Sequence, residues 1–215
     1  MGRSQNRGGG HRFGFSRPAG IRPTLPIIVV VCDDTKTAVA YFGEIKRIVK
    51  ADVTVEVVKA PCRGADPDSV VSLAVERARQ IEDDGDAVWA LVDLEAEQAK
   101  QDQAYQSKKK GEEGGVHIAL SNPCFEVWTL AHLADTGEAF NGCKAVGERV
   151  RTEWRKAFGT EFAKKAQADY QKLMPFMDKA LQRAETRHAR NDPSWTEVYK
   201  VVKAILSLSA KNKLR

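Results

Sequence analysis

The sequence predicts an α/β protein, a mostly parallel four-stranded sheet flanked by helices, with a helical extension after it. Three observations lead there. Apolar, largely β-branched runs of strand length recur four times before residue 123. Stretches with helical spacing separate them. Beyond about residue 143 only helical periodicity remains. Strands alternating with helices are the pattern of a parallel sheet covered on its faces, and 215 residues suffice for one core with an extension.

The elements follow in order. Residues 1–24, rich in Gly and Arg and poor in apolar side chains, read as a disordered N-terminal segment. "PIIVVVC" is a strand apolar on both faces, so buried on both. Residues 36–50 place Ala40, Tyr41, Ile45, Ile48 and Val49 at helical spacing. "DVTVEVVKA" (52–60) alternates as a second strand. Asp66 suits a helix cap and Pro67 a first turn, giving a helix over about 67–83. "DAVWALVD" (86–93) is the third strand, 95–110 a helix, "KKKGEEGG" a loop and "VHIALS" (116–121) the fourth strand. Ser121 or Asn122 then caps a helix that Pro123 opens. "TGEAFNG" (136–142) connects a sheet domain, 25–142, to a basic helical extension, 143–215. Helices are expected there over 143–158, 160–172, a segment to 190 bent near Pro175, and 193–208.

A net charge of +5 conceals a strong division. Residues 1–24 carry +5, residues 25–143 carry −9 and residues 144–215 carry +9. An acidic middle suits a divalent cation and basic flanks suit a polyanion, most commonly nucleic acid. Arg151, Arg155, Lys164 and Lys165 are the candidate phosphate contacts, with Arg183 and Arg187 on the same basic stretch. A solvated helix surface, or one that docks a partner, is the competing reading. No apolar run is long enough to span a bilayer and the N-terminus lacks a signal-peptide core. Four widely spaced cysteines (Cys32, Cys62, Cys124, Cys143) without a CxxC suit reduced thiols, so a cytoplasmic protein without membrane association is expected. Cys124, Trp128 and His132 recur every four residues and read as one core-facing helix face with His132 at its rim. There is no GxxxxGK[ST], so any ATP hydrolysis would come from a partner.

Open parallel sheets bind ligands beyond the carboxyl ends of their strands. The first strand ends at Asp33 and Asp34, and the third at Asp93 with Glu95 two residues on. The fourth ends at Ser121 and Asn122, with Glu126 a turn later. Five carboxylates at one edge repel one another unless something positive compensates them. Oxygen donors without His or Cys suit Mg²⁺ or Mn²⁺. Helix capping is the competing account of any single acid. Lys36, beside the acids, suits a phosphate oxygen. Two chemistries fit: a receiver-like phosphoacceptor, or metal-assisted phosphodiester cleavage. The receiver needs a fifth strand ending in lysine, where this chain continues with helical sequence.

"PIIVVVCDDTKTAVAYF", "DAVWALVDLE", "IALSNPCFEVWTLAHL" and "NDPSWTEVYKVVKAIL" occur in an order that resembles the RloB-like proteins. The resemblance covers roughly residues 25–208, and "SNPCFEVW" is its most specific element. It implies a Toprim-like fold, a place in prokaryotic restriction and anti-phage defence, often beside an ABC/AAA-type ATPase, and a metal-dependent nuclease acting on DNA or RNA. The Toprim glutamate after the first strand falls on Asp33, and the DxD after the third on Asp93 and Glu95. The later serine and glutamate of related overcoming-lysogenization-defect nucleases look like Ser121 and Glu126. The resemblance thus implies Asp33, Asp93 and Glu95 as ligands of Mg²⁺ (or Mn²⁺) and Glu126 as a further catalytic acid. Asp34, Lys36 and Ser121 would then lie near the phosphate or behind the ion. The chain departs from the pattern with Asp for Glu at 33, Glu for Asp at 95, and Asp34 where glycine is usual. Those departures leave a second expectation open, a degenerate site in a module that senses or docks the ATPase or nucleic acid.

Overall fold

In the computed structural model, residues 25–33, 36–60, 66–81 and 85–213 are described. The N-terminal segment 1–24, Asp34 and Cys62 lie outside the described residues, and so do the expectations placed on them. The four expected strands form: β1 (Ile27–Cys32), β2 (Thr54–Lys59), β3 (Ala87–Asp93) and β4 (His117–Asn122). Helices α1 (Thr37–Val49), α2 (Pro67–Ala78) and α3 (Gln98–Glu113) link them, and α4 (Glu126–Leu133) follows β4. Then come α5 (Cys143–Phe158), α6 (Gln167–Leu173), α7 (Met177–Arg190), β5 (Trp195–Thr196) and α8 (Val198–Lys213).

The sheet order is β2-β1-β3-β4-β5, with the first four strands parallel and β5 antiparallel to β4. The sheet therefore has five strands where the sequence predicts four. A two-residue strand has no periodicity to read. It forms because Thr196 meets Ser121 side chain to side chain at 2.8 Å, and Glu197 N donates to Leu120 O at 2.7 Å. A fifth strand that runs antiparallel is not the one a receiver-like domain requires.

Alternating residues fill two cores. Ile28, Val30, Cys32, Trp89, Leu91 and Ala119 pack with residues of α1, α4, α5, α7 and α8. Val29, Val31, Val88, Ala90, Val92 and Leu120 pack with residues of α2 and α3. Strands apolar on both faces need helices on both, and each fully buried Val or Ile contributes roughly 1.5–3 kcal/mol. Asp66 caps α2 as expected, its Oδ1 accepting from Ser69 N at 3.0 Å.

Two expected element boundaries shift. The "KKKGEE" stretch belongs to α3, because Gly111 lets the helix lie against β4: a Cβ there would stand 2.6 Å from Ile118 Cδ1. The expected helix over 160–172 begins only at Gln167, which leaves 159–166 as a loop. Pro123 does not open α4. It follows a cis peptide bond, and the helix starts at Glu126. Among the described residues no helix is long and apolar enough to cross a membrane.

His132 is fully buried rather than at a rim. Its Nδ1 stands 3.0 Å from the Trp128 carbonyl, which assigns that nitrogen the proton, and Nε2 faces the Tyr41 hydroxyl at 3.4 Å. Burial lowers its pKa from 6.5 to about 4, against the Trp128 bond, which raises it. Between those two values the unfolded chain binds a proton that the folded chain refuses. Stability contributed by this group is complete above about pH 6.5 and declines as pH falls toward 4. Urea unfolding at pH 7 and pH 4.5 should show a loss of about 2–3 kcal/mol from this residue. A His132→Asn variant, less stable at pH 7, should lack that component of the slope; an unchanged slope would refute the assignment.

Candidate functional site

The chain leaves β1 for β2 on one side and returns past β1 to β3 on the other. The order therefore reverses between β1 and β3, and the crevice of such a sheet opens at the carboxyl ends of those two strands. Asp33 follows β1, and Asp93 ends β3. In register, Cys32 pairs with Leu91 and Asp93 with Ser121. Backbone pairing continues past the strands: Leu94 N donates to Ser121 O and Glu95 N to Pro123 O, both at 2.9 Å. Glu95 adopts a left-handed φ of 53°. This lets the chain turn from β3 into α3 while its amide stays on the β4–α4 turn.

The acids have distinct partners. Glu126, the first residue of α4 and 7% exposed, accepts from Thr37 Oγ1 at 3.4 Å and forms an ion pair with Lys164. Glu95 pairs with Lys100 one turn into α3, at 2.5 Å. Two thiols stand near these acids, Cys124 of the β4–α4 turn and Cys143 at the start of α5, whose Sγ lies 4.0 Å from Pro123 O. Cys143, burial and the charges of Asp93 and Glu126 all push the Cys124 thiol up. Cys124 lowers the Cys143 thiol, against burial and the charges of Glu126 and Glu95. Asp33 stands at the neighbouring strand end. Ser121 bonds Thr196 of β5, and Lys36 stands just before α1.

Oxygen-only donors suit Mg²⁺ or Mn²⁺ in kind. Their placement does not fit a held ion. Among the described residues no group of three His, Cys, Asp or Glu side chains is disposed to hold a metal. Glu95 and Glu126 instead direct carboxylate oxygens at lysines.

The basic candidates divide. Lys164 lies in the loop after α5 and, still partly exposed, reaches Glu126. Arg151 is its neighbour: a Cβ added to Gly147 would meet Lys164 Nζ at 3.8 Å and Arg151 Nη1 at 4.0 Å. Arg155 pairs with Glu161, and Lys165 is exposed. Arg183 and Arg187 are not a phosphate stripe. They donate to the carbonyls of Ala131 and Ala134 at 2.9 Å each and so close the C-terminus of α4, where cations are favoured.

Among the helices that start at this edge are α3, α4 and α5. None is capped by the side chain of its N-cap residue, Glu97, Phe125 or Gly142. Helix N-termini of this kind attract anions.

Sequence reasoning missed Lys100 and Cys143 as neighbours of the acids, and it missed Glu197. That carboxylate is 3% exposed and accepts from Leu120 N at 3.1 Å while pairing with Lys108 and Lys200. Burial opposes its charge, but Lys200, the Leu120 amide and Lys108 hold its pKa below the usual value. "WTEVYK" shows only Lys200 three residues on; Lys108 of α3 and the Leu120 amide of β4 are remote in the chain.

A family model described as RloB-like protein matches residues 28–205. No curated protein matches. A de novo designed Rossmann fold protein is similar at 14% identity with a TM-score of 0.34, over 45% of this chain and 84% of that one.

The Glu126–Lys164 pair is measurable. Lys164→Met leaves a nearly buried carboxylate with only a hydroxyl donor, so it should destabilise more than the pair's exposed end suggests. In a double-mutant cycle with Glu126→Gln, urea unfolding should give a coupling of about 1–3 kcal/mol. A coupling below about 0.5 kcal/mol would place the pair with solvated surface contacts.

Proposed function

We propose, from the premise that the chain belongs to the RloB-like protein family, that it binds nucleic acid at the carboxyl edge of its sheet. We infer further that it cleaves phosphodiester bonds there, as a Toprim-like nuclease of prokaryotic anti-phage defence acting with an ATPase partner. One observation carries the reading: strand-end acids, lysines and three helix N-termini without side-chain caps share the edge where the strand order reverses.

The division of labour follows from charge. Helix N-termini and the Lys164–Arg151 neighbourhood favour a phosphate, while Asp33 and Asp93 stand at adjacent strand ends. As the side chains stand, Glu95 and Glu126 are engaged by lysines. Magnesium or manganese, the ion such a nuclease would use, is not accommodated in that arrangement. Phosphate arriving at Lys164 would compete with Glu126 for the ammonium and release the acid. The lysine engagement also favours a second reading, a binding or sensor module that docks nucleic acid or the ATPase without cleaving.

The test is direct. Fluorescence anisotropy with labelled single- and double-stranded DNA and RNA should show binding that weakens steeply as salt rises. Arg151→Ala should weaken it on every sequence alike. Incubation with Mg²⁺ or Mn²⁺ should then yield cleavage that Asp93→Ala abolishes. Binding without cleavage selects the module; no binding at low salt ends both readings.

A further inference from the structure

We propose that Lys164 is a built-in cation of the carboxyl edge: its ammonium stands against Glu126 in place of a divalent ion, and Mg²⁺ or Mn²⁺ gains a site there only when the ammonium leaves. The proposal rests on reading the carboxyl edge as the functional site and concerns how that site is controlled.

The loop 159–166 that carries Lys164 is anchored along its length. Trp154 Nε1 donates to Thr160 Oγ1 at 3.2 Å, and Ala163 N donates to Asp169 Oδ2 at 2.8 Å. Phe162 is buried between Trp154 and Tyr170, with ring centroids 4.8 and 5.7 Å away. The hydroxyl of Tyr170 donates to the carbonyl of Lys164 itself at 3.1 Å. These contacts fix the backbone from which the side chain extends, so less ordering remains to be done when the ammonium meets Glu126.

The receiving carboxylate is fixed as well. Glu126 opens α4, accepts from Thr37 Oγ1 and is nearly buried. A carboxylate so far from water requires a positive partner, and the chain supplies one. Exposure separates this pair from the one at Glu95. There the lysine and glutamate side chains are 43% and 45% exposed, a contact that solvent and ions displace at little cost. Lys164 is therefore the ammonium that decides. Arg151 Nη1 lies near the same Gly147 as Lys164 Nζ, so a dication approaching Glu126 meets two neighbouring cations that oppose it. Removing the ammonium reverses the balance. Glu126 is then short of positive charge, with Asp33 and Asp93 at the adjacent strand ends. Hard dications are what carboxylate donors of this kind take up.

The test reads metal binding alone, with no nucleic acid present. Mn²⁺ is added to the full-length protein, the free ion is counted by electron paramagnetic resonance, and thermal melting is recorded beside it. Wild-type protein is expected to show no submillimolar Mn²⁺ site and an unchanged Tm. Lys164→Met should bind Mn²⁺ at least about tenfold tighter, the scale on which one adjacent charge acts. Mn²⁺ should also return part of the Tm that this variant loses in metal-free buffer. Lys164→Gln should show the same gain and serves should the methionine variant not fold. Lys165→Met, the same charge change at the exposed next residue, should gain nothing. Glu126→Gln added to Lys164→Met should remove the gain. Submillimolar binding by wild-type protein would overturn the proposal with no variant needed. So would Lys164 variants that bind no better than wild type, or an equal gain in Lys165→Met. Nucleic-acid binding stands or falls by the anisotropy measurement instead, so the two readings fail separately.

Discussion

Burial of β1 and β3 on both faces is the constraint from which the rest follows. Ile28, Val30 and Leu91 point into one apolar cluster, Val31, Ala90 and Val92 into the other. A strand without a polar face cannot be joined to its neighbour by a hairpin lying over water, so each connection must carry a helix across a face. Helical crossovers make the strands parallel, and parallel strands end on one edge. The reversal of direction after β2 then places the ends of β1 and β3 side by side. The position of Asp33 and Asp93 at a crevice is thus a consequence of where valines and isoleucines sit.

What occupies that edge is governed by a second constraint: a charge removed from water needs a partner. Glu126 has Thr37 and Lys164. Glu197 has Lys108, Lys200 and the Leu120 amide. Arg187, 1% exposed, has Asp135 and the Ala134 carbonyl, and burial still lowers its pKa. These partners come from several elements, so the pairs also fix how the later helices sit on the sheet. Charge at the edge is consequently mixed, neither the bare acidic cluster nor the basic stripe that a linear count suggests.

The sequence disclosed what depends on local pattern. β1 to β4, the Asp66 cap and the edge carrying the acids were legible because period, capping chemistry and strand order act over a few residues. The misses have the opposite character. β5 exists through pairing with β4 across about 75 residues of chain. Helix α3 runs through Gly111 because Ile118 and Val71 leave no room for a larger residue, a contact no propensity encodes. Lys164 read as one more surface cation, since nothing nearby in the chain shows that it reaches Glu126. His132 was legible as a core-facing residue, but the depth of its burial depends on remote partners such as Tyr41, whose hydroxyl also meets Met177 at the start of α7.

The helices after residue 143 bear on the site as much as the strands do. Val146, Val150, Trp154, Leu173, Val201 and Ile205 belong to the same apolar cluster as Ile28 and Leu91. They cover the face that β1 and β3 would otherwise expose. From this stretch come Lys164, which holds Glu126, Cys143, which lies against the Pro123 carbonyl, and Thr196, which holds Ser121. An acid at a strand end is therefore only half of a functional statement. Its state depends on the group set against it, and at this edge those groups arrive largely from the second half of the chain. Any process that shifts α5 or the loop 159–166 alters the charge presented at β1 and β3 without touching either strand.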